Sequence, residues 1–199
     1  MNSRLNTSRA IDPEFLVLAY CNGYFPMAEP KMGEIGWFSP DPRAIFELDA
    51  FHVPRSLRLS IKKNVFDIRI NTRFEKVMRA CGEREETWIS EDIVQTYMQL
   101  YTAGFAHSVE SWKDGTLAGG LYGVAIGGAF FGESMFSRER NASKVALVHL
   151  VERLTSRGFI LLDTQWTTPH LKMFGAKEIP REEYLKRLTK AIKKQCGFC

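Results

Sequence analysis

Three stretches set polar groups into apolar surroundings, and chemistry would sit there. The first is Phe130-Phe131-Gly132-Glu133-Ser134-Met135-Phe136. Strand alternation puts Phe131, Glu133 and Met135 on one face, a carboxylate between a Phe and a Met. Once buried, that carboxylate requires a partner or a cationic ligand. The plainer alternative is an edge-strand Glu paired with Arg138 or Lys144. The second stretch is Leu161-Leu162-Asp163-Thr164-Gln165-Trp166, an apolar strand ending with Asp163 and Gln165 on one face. Polar groups at a rigid strand end suit the positioning of a reactant; the alternative is that Asp163 caps the helix that follows. The third is Thr87-Trp88-Ile89-Ser90 at a helix start, where Trp88 is either core or a stacking platform for a base.

Other motifs exclude more than they suggest. Gly132-Glu133-Ser134-Met135-Phe136 has the outline of a nucleophile elbow, but Phe136 stands where its last glycine belongs. There is no phosphate-binding glycine loop and no dinucleotide fingerprint. His52, His107, His149 and His170 lack metal-ligand spacing, and His107 and His149 read as structural. Cys21, Cys81, Cys196 and Cys199 form no disulfide framework. Cys196-Gly-Phe-Cys199 has no second ligand pair for a structural zinc, so it reads as a chance pair on a frayed tail and no metal is expected. Arg55, Arg58 and Lys62 fall at i, i+3 and i+7 with Lys63 beside them. That is one basic helix face, solvated unless a polyanion meets it.

The elements that must hold these groups follow from periodicity and end signals. Asp12 and Pro13 open a helix running towards Tyr24, and a Pro/Gly-rich loop is expected over Phe25–Gly36. Trp37–Arg43 reads as extended and Ala44–Leu48 as a strand. A basic helix over Pro54–Asn64, a strand over Val65–Asn71 and a helix over Thr72–Ala80 come next. Ser90 caps a helix that Gly104 ends. The second half holds strands His107–Trp112, Leu117–Val124 and Ala129–Phe136, joined by turns at Asp114-Gly115 and Gly127-Gly128. An Asn141-capped helix reaches Arg157, Phe159–Thr164 is a buried strand, and Glu182–Lys194 is a final helix. Such an order describes an α+β protein with one mainly antiparallel sheet and flanking helices. A small N-terminal domain is expected over 1–60 and a larger domain, holding the acidic and amide groups above, over 61–199.

The 199 residues, 45% hydrophobic and 25% charged, are enough for a real core. A net charge of +4 permits a polyanionic partner without requiring one. Residues 1–12 are polar, and no apolar run has membrane length, so a cytoplasmic protein with no membrane partner is expected. Residue types alone lead to a soluble α+β protein with an acidic spot in an apolar pocket.

The order of motifs leads further. Gly23-Tyr24-Phe25-Pro26-Met27, Trp37-Phe38-Ser39-Pro40-Asp41-Pro42-Arg43, Thr87-Trp88-Ile89 and Ala106-His107-Ser108-Val109-Glu110 come first. Gly132-Glu133-Ser134-Met135-Phe136-Ser137, Asn141-Ala142-Ser143-Lys144, Asp163-Thr164-Gln165, Phe174-Gly175-Ala176 and Glu178-Ile179-Pro180-Arg181 complete the series. From about residue 12 to 190 the chain resembles the leucyl/phenylalanyl-tRNA–protein transferases. The resemblance implies a C-terminal domain like the N-acetyltransferase (acyl-CoA) fold behind a small N-terminal domain. It implies transfer of Leu, also Phe and less readily Met, from aminoacyl-tRNA to the α-amine of proteins beginning with Arg or Lys, which marks them for N-degron proteolysis. No cofactor is implied.

By the same resemblance, Asp163 and Gln165 are catalytic: Gln165 orients the amine or relays its proton, Asp163 positions Gln165 or the amine, and Asp163 or the tRNA ribose is the proton's acceptor. Glu133 faces the acceptor's N-terminal cation. Leu121, Phe130, Met135, Leu147, Leu150 and Leu162 line the aminoacyl pocket, Leu121 and Leu150 replacing bulkier residues found elsewhere in the family. Phe130 and Met135 have opposite strand parity, so both line one pocket only across a bulge, for which Gly132 is the natural place. Trp88, Met27 and Tyr97 are implied at the tRNA 3′ adenosine, Met27 standing where the family often has a second Trp. Arg55, Arg58, Lys62 and Lys63 are implied on tRNA phosphates. The alternatives are a related transferase with another aminoacyl donor and a non-catalytic module that binds tRNA or N-degrons.

Overall fold

A computed structural model describes residues 11–29 and 34–199. Residues 1–10 of the polar start and 30–33 of the expected Pro/Gly-rich loop lie outside the described residues. The elements are α1 (Pro13–Cys21), β1 (Phe25–Ala28), β2 (Ile35–Phe38), β3 (Arg43–Phe46), α2 (Arg55–Lys62), β4 (Asp67–Ile70), α3 (Phe74–Gly82) and α4 (Glu91–Thr102). There follow β5 (Ala106–Lys113), β6 (Thr116–Ile126), β7 (Ala129–Ser137), α5 (Ala142–Ser156), β8 (Leu161–Gln165), α6 (Pro169–Lys172), β9 (Lys177–Ile179) and α7 (Arg181–Ile192).

Seven strands form one sheet in the order β4-β5-β6-β7-β8-β3-β9. Every pairing is antiparallel except β7 with β8, which is parallel. That parallel step requires a crossover, and α5 supplies it. The mixed α+β architecture with a mainly antiparallel sheet is therefore as expected. β3 precedes residue 60 yet sits inside this sheet, between β8 and β9.

Each face of the sheet buries its own core. Tyr122, Val124 and Phe131 point to one side, against Leu16 and Tyr20 of α1, Ile93 and Tyr97 of α4, and Tyr184 of α7. Leu121, Phe130 and Leu162 point to the other, against Leu147, Leu150 and Leu154 of α5 and Leu57 of α2. Neighbours in sequence thus serve opposite cores, as a strand buried on both faces requires.

Side-chain caps set three of the seven described α-helix starts. The Asp12 carboxylate accepts from Phe15 N at 2.9 Å and Ser90 Oγ from Ile93 N at 3.3 Å. Asn141 behaves otherwise: it sits at φ 71 with no side-chain cap, and the Ser137 hydroxyl accepts from Ser143 N at 3.3 Å instead. The segment expected as a loop over Phe25–Gly36 contains β1 and the first half of β2, an antiparallel pair that keeps Pro26 on an outer edge. The tail is not frayed. Phe198 is 3% exposed and stacks 4.3 Å from His107 and 5.3 Å from Phe130, and its carbonyl accepts from Arg153 Nε. All four cysteines are free, and no cluster of metal-binding groups exists among the described residues. None of the described helices is long and apolar enough to cross a membrane.

Candidate active site

The site forms where β7 and β8 run side by side. In the β6–β7 ladder Tyr122 faces Ser134, and the next pair is Gly123 with Gly132. Glu133 is therefore an extra residue on β7, the bulge expected near Gly132. Gly123 permits it, because a Cβ there would lie 2.2 Å from the Phe131 carbonyl oxygen. The bulge also breaks the expected alternation. Phe131 packs in one core and Met135 against the other, with Glu133 between them.

Glu133 is neither an edge-strand residue nor paired with Arg138 or Lys144. Its Oε1 accepts from Tyr20 Oη at 2.7 Å and from Gln165 Nε2 at 3.0 Å, and its Oε2 accepts from Tyr97 Oη at 3.2 Å. The Tyr20 and Tyr97 hydroxyls also meet each other, and since two hydroxyl protons cannot serve three contacts, all three are made together only when the Glu133 carboxyl carries a proton. Every donor is neutral. Burial pushes the carboxyl up to about 7; the Tyr20 hydrogen bond opposes the rise, and the charge of Asp163 adds to it.

Asp163 lies behind Gln165, fully buried. Arg43 Nε donates to Oδ1 at 2.9 Å and its NH2 to Oδ2 at 2.7 Å, a bidentate pair. Tyr184 Oη adds a bond to Oδ2 at 2.8 Å, and Gln165 N one to Oδ1 at 2.9 Å. The guanidinium lies 4.8 Å from the Phe25 ring and 4.6 Å from that of Tyr184, and it donates to the Gly23 carbonyl at 3.0 Å. Both Asp163 oxygens are thus engaged, and the cap of α6 is Thr168, not Asp163. Gln165 stands at φ 60, where a side chain other than glycine is strained. Asp163 holds it there from below while Trp166 N bonds back to the Thr164 carbonyl at 2.7 Å. Its side-chain amide donates to Glu133, and its carbonyl oxygen has no partner among the described residues.

Beside these groups opens a cavity of about 560 Å³. Leu121, Met135, Leu147, Leu150 and Leu162 form its apolar wall, and Glu133, Gln165, Lys144 and Arg84 reach it from the sides. Phe130 does not line it; fully buried, it packs beneath, against Phe198. Tyr122 Oη, Thr164 Oγ1 and His170 Nε2 are buried without a partner among the described residues, and all three residues line this cavity. They are the hydrogen-bonding groups it offers to a polar ligand.

The remaining expected residues fall into two groups. Trp88 and Met27 lie together, half-buried, where Ala28 N bonds the Trp88 carbonyl at 3.3 Å. Tyr97 is apart from them, fully buried beneath Glu133 and unable to stack on a base. Arg55, Arg58, Lys62 and Lys63 are exposed on and just beyond α2, with no ion-pair partner among the described residues; Arg58 donates to the Val53 carbonyl at 2.9 Å. Residue types alone missed Arg43, Tyr20 and Tyr184. For Arg43 one signal existed: a buried strand ending in Asp163 demands a cation, and few arginines adjoin apolar strands.

Known proteins resemble this chain along most of its length. A family model described as leucyl/phenylalanyl-tRNA protein transferase matches residues 45–189, and that family's N-terminal domain matches residues 9–41. Proteins named leucyl/phenylalanyl-tRNA–protein transferase are similar along nearly their whole length. That of Gloeobacter violaceus is 56% identical over 94% of this chain and 97% of its own. That of Herpetosiphon aurantiacus is 54% identical over 96% and 98%. Among solved structures, L-PGS from Bacillus licheniformis overlaps 88% of this chain and 62% of its own at 13% identity and a TM-score of 0.43. A GCN5-related N-acetyltransferase-like protein from Streptococcus suis overlaps 83% and 63% at 12% identity and 0.38.

Proposed function

The chain belongs to the leucyl/phenylalanyl-tRNA–protein transferase family, and from that premise we propose that it moves Leu, also Phe and less readily Met, from aminoacyl-tRNA to the α-amine of proteins beginning with Arg or Lys. One observation carries the reading: a carboxylate held only by neutral donors, Glu133, borders an apolar cavity. The apolar wall suits an uncharged donor side chain, and burying a charged one there would cost several kcal/mol, about the penalty of an unpaired buried ion. The missing cation is then the acceptor's first residue.

The chemistry asks little of the protein. The donor is an activated ester, and an α-amine with an ordinary pKa of about 8 is partly neutral near pH 7. The amine nitrogen attacks the ester carbonyl carbon, the bond to the ribose oxygen breaks, and the proton shed by the amine ends on that oxygen. Gln165 is suited to hold the amine through its free carbonyl oxygen, so it is the catalytic residue of this scheme. Asp163, both oxygens occupied by Arg43, Tyr184 and the Gln165 backbone, acts as a positioning residue and not as the base. Trp88 and Met27 suit the terminal adenosine, and Arg55, Arg58, Lys62 and Lys63 suit tRNA phosphates. The cytoplasm, where aminoacyl-tRNA is made, is the setting.

The test is transfer of radiolabelled leucine from leucyl-tRNA to a peptide with N-terminal Arg, comparing the wild type with Gln165→Asn. Asparagine tolerates the left-handed backbone but withdraws the amide by one methylene. A displacement of that size costs about 100-fold in kcat/KM with the fold intact. Labelling that ignores the peptide's first residue, or a variant as active as the wild type, would sink the reading.

A further inference from the structure

Beyond Gln165 the chain presents aromatic surface that the reaction scheme leaves unused. Trp166 is 43% exposed and lines the cavity, and Phe38 is 41% exposed beside it, with ring centroids 6.3 Å apart. The pair has rigid backing. Phe25, 2% exposed, meets Trp166 edge-on at 5.1 Å and stacks on Phe38 at 6.2 Å. Phe25 is fixed in turn by the buried Arg43 guanidinium. Two exposed aromatics on a fixed support form a prepared apolar contact surface.

We infer that Trp166 and Phe38 form the subsite for the second residue of the acceptor polypeptide, and that this residue is preferentially apolar. The inference rests on the transferase reading above. An acceptor whose first residue is held at Glu133 and Gln165 must leave the site along a neighbouring wall, and its second residue lies about 3.8 Å along the chain from the first. Trp166 follows Gln165 directly at the same spacing. A nucleobase fits the surface less well, because rings 64° apart cannot sandwich a flat base. The β1–β2 hairpin also separates the two ends of the site. Phe25 and Phe38 pair at one end, beside Trp166, and Ala28 pairs with Ile35 at the other, beside Trp88. Those ends are about 10 Å apart at the usual strand rise, so an adenosine held by Trp88 leaves the Trp166 lip free.

The test uses peptides with N-terminal Arg and a common tail, carrying Leu, Phe, Gly or Asp at position 2, with labelled leucyl-tRNA as donor. The readout is the ratio of kcat/KM for each peptide to that for the Gly peptide, in which any loss of folded enzyme cancels. Leu and Phe are expected to exceed Gly by about fivefold, the scale of one apolar contact on an open surface. Phe38→Ala and Trp166→Ala should each bring the ratio towards one, and Trp166→Phe, the variant to use if Trp166→Ala does not fold, should keep part of it. A wild-type ratio of one, or variants that leave the ratio unchanged, overturns the inference. Variants that raise KM for leucyl-tRNA equally with every peptide place the lip on RNA and also overturn it. If no peptide is labelled at all, the transferase reading itself fails; equal labelling of all four spares that reading and removes only the lip.

Discussion

The Glu133→Gln variant should be more stable than the wild type at pH 8 and little different from it at pH 5. The Glu133 carboxyl is raised from an ordinary 4.5 to about 7. Between those values the unfolded chain gives up the proton while the folded chain keeps it, so the native state binds more protons. Wild-type stability from this group is therefore full below about pH 4.5, falls as pH rises through the interval, and levels off above about 7. The full interval corresponds to about 3 kcal/mol; partial access from the cavity reduces this to about 1.5–3 kcal/mol. The glutamine side chain does not titrate; its oxygen in the place of Oε1 can accept from Tyr20 and Gln165, and its NH2 in the place of Oε2 can donate to the Tyr97 hydroxyl. Urea unfolding of both proteins at pH 5, 6, 7 and 8 isolates the effect, because every other ionisation is shared. A stability difference independent of pH from 5 to 8 would refute the reasoning, since Glu133 would then ionise in the fold as it does in water. The same coupling predicts that a cationic acceptor displaces the Glu133 proton, so kcat/KM for the peptide gains a limb near pH 7 that the variant lacks.

Two further predictions test the supports around that group. Arg43→Met should cost about 3–5 kcal/mol by urea unfolding, because it strands Asp163 as a buried unpaired charge, and Arg43→Met with Asp163→Leu should recover part of the loss; equal destabilisation by the single and double variants would argue against the pair. Replacing Arg55, Arg58, Lys62 and Lys63 together by Ala should weaken tRNA binding, and the slope of log affinity against log salt should shallow by roughly one for each phosphate left without its cation, with kcat at saturating tRNA retained; a variant with the wild-type slope would assign these cations to solvent.

Sequence patterns give the elements more readily than the site. Ser90 and Gly104 mark both ends of α4 because capping is local. Asp114 at φ 50 and Gly115 at φ 76 make the β5–β6 turn from residues that tolerate that backbone. What escapes notice is long-range or depends on parity. Arg43 and Asp163 are 120 residues apart, and no local pattern links them. The resemblance assigns Tyr97 to RNA, yet Ile93, Tyr97 and Leu100 follow the i, i+4, i+7 stripe of α4, and that periodicity already points Tyr97 inwards. The bulge shifts parity at Glu133, so alternation predicts Phe131 and Met135 on one face when they serve opposite cores. Thr168, and not Asp163, caps α6, because a helix of four residues has no periodicity by which its start could be placed.

The two carboxylates of the site illustrate how one fold gives the same chemical group two jobs. Asp163 meets a guanidinium in bidentate geometry and has no oxygen left for a substrate. Glu133 meets two hydroxyls and an amide, none of which brings a charge, and the nearby Asp163 raises its proton affinity further. Exchanging the partners would reverse the roles: a cation beside Glu133 would fix it as a structural anion, and Asp163 without Arg43 would release Gln165 from its strained turn. Giving two neighbouring carboxylates different partners in this way suits them to different tasks. In this arrangement the spent acid holds the geometry. The unspent one is left to answer a cation that the chain itself does not supply, and the strain at Gln165 is the link by which the first positions the second.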